Sequence, residues 1–214
     1  MSASTLEKGF TCYLDGDYAG ALKCWLSLAE QGDPGAQNNM GVLYLNGQGV
    51  ERNDKLAFLW FSRAAEQNQV EAQQVLGDLY HFGRGTPRDS KQAFIWTSKA
   101  ALAGNRKAQG SLGYIYLVGQ NTPIDYKRAL FWTLKSANQG HPNAQYNLGV
   151  MYELGQGLPQ SNMRAFAWFT LAVSNGDPDA GKALAQLEKK LSVAQLSEAE
   201  QLAEKMAESL NETV

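Results

Sequence analysis

The chain has 214 residues, 44% of them hydrophobic and 19% charged, the composition of a folded globular protein and not of a disordered one. Nineteen basic residues against twenty-one acidic ones leave a formal charge of −2, which excludes the strong net basic field that nucleic acid or an anionic membrane selects. Two cysteines exclude a disulfide-dense scaffold, and no apolar run approaches a membrane span. The opening Met-Ser-Ala-Ser-Thr-Leu-Glu-Lys carries no basic segment followed by an apolar one, so the expectation is a soluble, cytoplasmic protein without a signal peptide.

From the N-terminus, residues 4–33 read as a shortened helical hairpin. Tyr13 closes its first helix, Asp15-Gly16-Asp17 makes a short turn, and Ala21 lies 36 residues before Ala57 in the second helix. Four complete units follow without insertion or deletion, at 34–69, 70–105, 106–141 and 142–177. Alanine recurs at 36, 72, 108, 144 and 180, glycine at 41, 77, 113 and 149, and tyrosine at 44, 80, 116 and 152. Tryptophan recurs at 60, 96, 132 and 168. A fixed period of this length marks a repeat architecture whose units bury their apolar faces only by stacking.

Each unit predicts two helices. Ala36, Met40, Leu43, Tyr44 and Gly47 share one face of the first, and Ala57, Trp60, Phe61, Ala64 and Ala65 one face of the second. Gly47-Gln48-Gly49, with its equivalents Gly83-Arg84-Gly85 and Gly155-Gln156-Gly157, supplies the positive φ that a helix end and tight connection need. In the third unit Asn121 takes the second glycine's place, the residue that best tolerates that region. Pro34, Pro142 and Pro178 are placed near the first turn of the following helices. The mid-helix glycines imply close helix approach, with the tryptophan as the expected filler opposite. Residues 178–192 read as a final first-type helix, opened by Ala180 and reaching about Leu191. Residues 193–210 read as a terminal helix, with capping boxes at Ser192–Gln195 and Ser197–Glu200 and a stripe of Leu196, Ala199, Ala203, Met206 and Leu210. That stripe caps the last groove of a monomer, or else joins two copies into a homodimer.

The motif Ala144-Gln145-Tyr146-Asn147-Leu148-Gly149-Val150-Met151-Tyr152-Glu153-Leu154-Gly155-Gln156-Gly157, followed by Ala165 and Trp168, resembles the Sel-one-like repeat (SLR), a relative of the tetratricopeptide repeat. The resemblance holds at full strength over about 34–192 and more weakly, in tetratricopeptide style, over the N-terminal segment. It implies an all-α fold, a right-handed α/α superhelical solenoid of stacked helical hairpins. It also implies an adaptor or scaffold role in protein complexes, often in bacterial signalling, with no catalytic residues to carry over. Cysteine-rich members of the family have been proposed as β-lactamase-like, but their paired cysteines in every repeat are absent from this sequence.

No catalytic constellation emerges from the residues themselves. Gly176-Asp177-Pro178-Asp179-Ala180-Gly181-Lys182-Ala183 imitates a phosphate loop, but Ala183 stands where Ser or Thr must reach the metal, and a helix precedes it instead of a strand. His81 and His141 are the only histidines, and no His-Glu-x-x-His, Cys-x-x-Cys or Gly-x-Ser-x-Gly occurs. His141 reads as a solvated turn residue, whereas His81 lies on the variable side of its helix. Cys12 and Cys24 fall in apolar columns and read as core positions, with a redox pair as the alternative because both sit in one helical hairpin. No metal or other cofactor is expected.

The positions that vary while the frame stays fixed are Asn38, Val42 and Leu45 in the first unit, then Gln74, Asp78 and His81. They continue as Tyr114 and Leu117, opened by Gly110, and then as Tyr146, Asn147, Val150 and Glu153. Apolar and aromatic members on a face that should be polar mark it as a binding surface, the concave groove of the solenoid, or as contacts to the adjacent repeat. The expectation is a non-enzymatic scaffold that holds a peptide or protein segment there, with no nucleic acid and no membrane insertion. The alternatives are a β-lactamase-like or cell-wall-directed enzyme and a carbohydrate or peptidoglycan binder.

Overall fold

The structure, a computed structural model, describes residues 4–120 and 122–211, so the turn expected at Asn121 lies outside the described residues. Among these residues the chain forms twelve helices and no strand. In residues 1–103 they are α1 (Thr5–Leu14), α2 (Tyr18–Glu30), α3 (Pro34–Asn46), α4 (Asp54–Glu66), α5 (Val70–Phe82) and α6 (Ser90–Leu102). In residues 104–214 they are α7 (Arg106–Val118), α8 (Tyr126–Asn138), α9 (Pro142–Leu154), α10 (Asn162–Ser174), α11 (Ala180–Glu188) and α12 (Val193–Asn211). Within each of these two units the helices pack in chain order, each on the next, and α10 then receives both α11 and α12. This is the architecture of an all-α solenoid of helical hairpins.

The apolar columns form the cores between hairpins. Ala21, Trp25 and Ala29 of α2 meet Ala36, Met40 and Leu43 of α3. One period on, Ala57, Phe61 and Ala64 meet Ala72, Leu76 and Leu79. Burying each large side chain contributes about 1.5–3 kcal/mol, and the alanines let the backbones approach.

The mid-helix glycines do need close contact, but their partner is not the tryptophan. A Cβ on Gly41 would lie 2.8 Å from the Phe61 ring, one on Gly77 2.6 Å from Thr97 Oγ1, and one on Gly149 2.5 Å from the Phe169 ring. The filler is therefore the residue after Trp60, Trp96 and Trp168. Both positions share the helix's apolar face, and only the crossing of the pair decides which one faces the glycine.

The loops and ends are held by repeated hydrogen bonds. In the four complete repeats the N-cap of the second helix donates its backbone N–H to the carbonyl of the column tyrosine, as in Asn53 to Tyr44 (2.9 Å) and Ser161 to Tyr152 (2.9 Å). First helices end on left-handed glycines, Gly47 at φ 68° and Gly155 at φ 69°. Asn68, which replaces the closing glycine of the first unit, adopts φ 65°. Pro34 and Pro142 open α3 and α9 as expected. Ala180 opens α11 as expected, with Pro178 two residues ahead of it and Asp177 Oδ1 accepting from the N–H groups of Asp179 and Ala180 (3.0 Å each). The helix ends earlier than expected, at Glu188, before the Ser192–Gln195 capping box that starts α12.

The stripe of α12 is spent inside the chain. Leu196 and Ala199 pack with Phe166, Phe169 and Leu187, while Met206 and Leu210 pack with Leu148, Trp168 and Leu171. Cys12 and Cys24 are half-buried free thiols at the edge of the first core cluster.

Candidate protein-interaction surface

The glutamine that follows the column alanine links three helices. Gln37 Nε2 donates to the Ala29 carbonyl at the end of α2 (3.1 Å), and its Oε1 accepts from Gln67 at the end of α4 (2.8 Å). In residues 104–214, Gln145 donates to the Ala137 carbonyl (3.2 Å) and accepts from Asn175 (2.9 Å). With Gln145 fully buried, these bonds satisfy groups that would otherwise be stranded. The sequence carried this signal in the Ala-Gln pair of the four complete repeats, but periodicity does not tell a buried staple from a surface amide.

Against this frame, the residues expected on the open face fall into distinct environments. In the first unit Asn38 is half-buried and donates weakly to Asn39 Oδ1 (3.4 Å). Val42 and Leu45 spend their apolar surface on the core of the following hairpin, beside Phe61 and Leu76. Gln74 donates to the carboxylate of Asp78, and the His81 ring stands edge-on to Phe82 at 4.7 Å.

In residues 104–214, Tyr114 is open, 48% exposed, and Leu117 is half-buried. Tyr146 packs its ring on Phe169 at 5.5 Å. Burial raises its phenol pKa above the ordinary value, and the nearby carboxylates of Asp179, Asp177 and Glu153 add to the effect. Asn147 is buried and donates to Asn143 (3.2 Å), Val150 packs into the cluster around Phe166 and Leu187, and Glu153 pairs with Lys190 at 2.7 Å. Gly110 shows why its column turns inward. A Cβ there would lie 3.0 Å from Ser136 Oγ and 3.3 Å from His141 Nδ1.

In the first helices of the four complete repeats, α3, α5, α7 and α9, the open apolar positions are therefore Tyr114 together with a column that was not singled out, the residue just before each C-cap glycine. Phe82 is 69% exposed, Val118 45% and Leu154 60%. Tyr114 and Val118 stand four residues apart and share one helix face. The available signal was a column, Asn46, Phe82, Val118 and Leu154, that stays largely apolar outside the buried face.

His141 is a cap and not a solvated turn residue. Its Nδ1 accepts from the Ala144 N–H (3.3 Å) at the start of α9. Burial lowers its pKa, and the charges of Arg106 and Lys107 lower it further against the opposing pull of Asp177. Burial raises the pKa of the Cys12 thiol above the ordinary value, and Asp17 adds to the effect. Ser161, in the cleft formed with Leu130, Tyr152 and Arg164, uses its hydroxyl to cap α10 through the Arg164 N–H (3.3 Å). Among the described residues no three His, Cys, Asp or Glu side chains gather where they could hold a metal, and no helix is long and apolar enough to cross a membrane.

A family model of the Sel1 repeat matches residues 4–33, 34–69, 70–105, 106–141 and 142–177. The solved structure of a Sel1 repeat protein from Oxalobacter formigenes is 30% identical, with a TM-score of 0.83 over 95% of this chain and 83% of that one. A Sel1 repeat protein from Klebsiella pneumoniae is 21% identical, covering 86% of this chain and 91% of its own, with a TM-score of 0.55. An immunity protein from Pseudomonas aeruginosa is 17% identical, with a TM-score of 0.57 over 95% of this chain and 83% of that one. At these last two identities the likeness is one of fold. No curated protein matches the chain.

Proposed function

Since the chain belongs to the Sel1 repeat family, we propose that it is a non-enzymatic scaffold, binding a peptide or protein segment of a bacterial signalling or regulatory complex on the open faces of its first helices. The observation that carries the reading is the pairing of Tyr114 and Val118 on α7, exposed side by side while the alanine, glutamine and glycine columns behind them are buried. A rigid aromatic with an aliphatic neighbour is the kind of anchor that dominates protein interfaces, and it costs little side-chain entropy to order. Phe82 on α5 supplies a second anchor, flanked by the Gln74–Asp78 pair that can bond a ligand's backbone.

The test is affinity capture read by quantitative mass spectrometry, comparing the native chain with Phe82→Ala/Tyr114→Ala. Both side chains are exposed, so helicity and melting temperature should stay within about half a kcal/mol of native. Each lost anchor should weaken capture by about 2 kcal/mol, close to thirtyfold. A folded double variant that retains every partner of the native chain moves the site off these faces. Hydrolysis of nitrocefin by the pure protein would defeat the non-enzymatic part of the reading.

A further inference from the structure

The second helices carry a pattern on their solvent side that the scaffold reading does not use. Lys55, Leu59 and Arg63 on α4 are spaced i, i+4, i+8, and Lys91, Ile95 and Lys99 occupy the equivalent places on α6. All six are exposed, and the two apolar centres are 42% and 43% open. In the other unit α8 repeats the pattern by itself as Lys127, Phe131 and Lys135. Among the described residues none of these cations is in an ion pair. Arg63 lies over the Trp60 ring at 4.9 Å and Lys99 over Trp96 at 4.1 Å, so each charge is held on its helix and not left to wander.

The last second helix breaks the pattern and is covered. On α10 the same three places are Met163, Ala167 and Leu171, and α12 lies over them. Ala167 is fully buried, Met163 packs in the cluster with Leu196 and Ala199, and Leu171 in the cluster with Met206 and Leu210. This face of a second helix is thus a seat for an amphipathic helix within the chain itself. The helix that takes the seat shows Glu198, Glu200, Glu204 and Glu208 on its exposed sides.

We propose that the outer face of α4 and α6 docks an acidic amphipathic helix of a partner protein. Its apolar stripe rests on Leu59 and Ile95, as α12 rests on α10, and its flanking carboxylates meet the basic residues on either side. The exchange of Met163 and Leu171 for paired cations makes this seat selective for an acidic occupant, through opposite-charge contacts that also speed association. A membrane surface fits less well, because the exposed apolar residues, Leu56 and Leu59 on α4 and Ile95 and Leu102 on α6, stand among charges and form no continuous apolar face. Nucleic acid fits less well, because the chain as a whole is acidic.

The probe is a fluorescein-labelled peptide of this chain's own residues 193–211, an acidic amphipathic helix, titrated into the intact protein and read by anisotropy. Saturable binding that weakens at least tenfold between low and high salt is expected. Lys55→Glu/Lys91→Glu/Lys99→Glu should abolish it, and Leu59→Ser/Ile95→Ser should weaken it at least tenfold with less change in its salt dependence. These side chains are exposed, and circular dichroism confirms that both variants are folded. Three outcomes overturn the proposal. One is no saturable binding; another is equal binding by the charge-reversed protein, which would mean the peptide exchanges with α12 on α10. The third is binding to phosphatidylserine vesicles or to duplex DNA, but not to the peptide, that the charge reversal removes.

Discussion

Asp54 accepts from two arginines at once, and this holds its carboxyl well below the ordinary carboxylate range. Arg84 reaches it from the following hairpin with two bonds of 3.1 Å, and Arg52 from its own loop with bonds of 3.2 and 3.3 Å. The Arg84 bond, then the Arg52 bond, hold its pKa at about 2, below the ordinary 3.8, against the opposing effect of desolvation. A depressed acid stabilises the fold above its unfolded pKa, and the contribution disappears as pH falls through the folded value. The full shift would correspond to a little over 2 kcal/mol, but the Arg52 and Arg84 side chains are 61% and 38% exposed, so screening leaves about 1 kcal/mol. Urea melts of native protein and Asp54→Asn should differ by that amount from pH 7 to 5 and converge between pH 4 and 2. A gap that is constant down to pH 2 means the arginines contribute nothing through this carboxylate.

Among the elements, α5 is the repeat first helix that starts without a side-chain cap. Its N-cap is Gln69, whereas α3, α7 and α9 begin on Asp33, Asn105 and His141, each accepting from the N–H three residues on. Gln69→Asp should therefore add about 1 kcal/mol by satisfying the Ala72 N–H, seen as a raised melting temperature. An unchanged or lowered midpoint would show that the entry to α5 cannot adopt the geometry of its equivalents. Helix number, pairing and caps were legible in the sequence because they depend on local periodicity and on Gly, Pro, Asp and Asn at fixed offsets. The roles of individual columns were less legible. Val42, Leu45, Tyr146 and Val150 lie between the buried stripe and solvent, and the helix that arrives next decides their exposure. The same rotation made Thr97 and Phe169, not their tryptophan neighbours, the fillers behind Gly77 and Gly149. Phe82, Val118 and Leu154 were passed over because a residue beside a C-cap glycine reads as helix end before it reads as surface.

At the scale of the molecule, equal spacing makes the hairpins interchangeable, and this can be tested within residues 1–103. Deleting 34–69 removes one period of 36 residues and joins Asp33 to Val70. Asp33 then caps α5, which lacks a cap of its own. Ala72, Leu76 and Leu79 take the places of Ala36, Met40 and Leu43 against Ala21, Trp25 and Ala29. Gln73, which donates to the Ala65 carbonyl (3.2 Å), finds the Ala29 carbonyl that Gln37 used. Gly85, set against the backbone of Asp54, meets the backbone of Tyr18, where Gly49 stood. These core, staple and loop contacts thus have replacements of the same type, while Arg84 loses Asp54 because Tyr18 stands in its place. Stability should fall by the share of one repeat, about 2–5 kcal/mol at the usual stability per residue. The shortened chain should keep its helicity per residue and unfold cooperatively at a lower temperature. Deleting 34–63 instead removes α3 and all but the last turn of α4, and the remnant 64–69 puts the N-terminal hairpin six residues out of register with α5, so that chain should aggregate or lose helicity. If both deletions behave alike, the hairpins are not equivalent stacking units, and the regular period of the sequence does not govern how they pack.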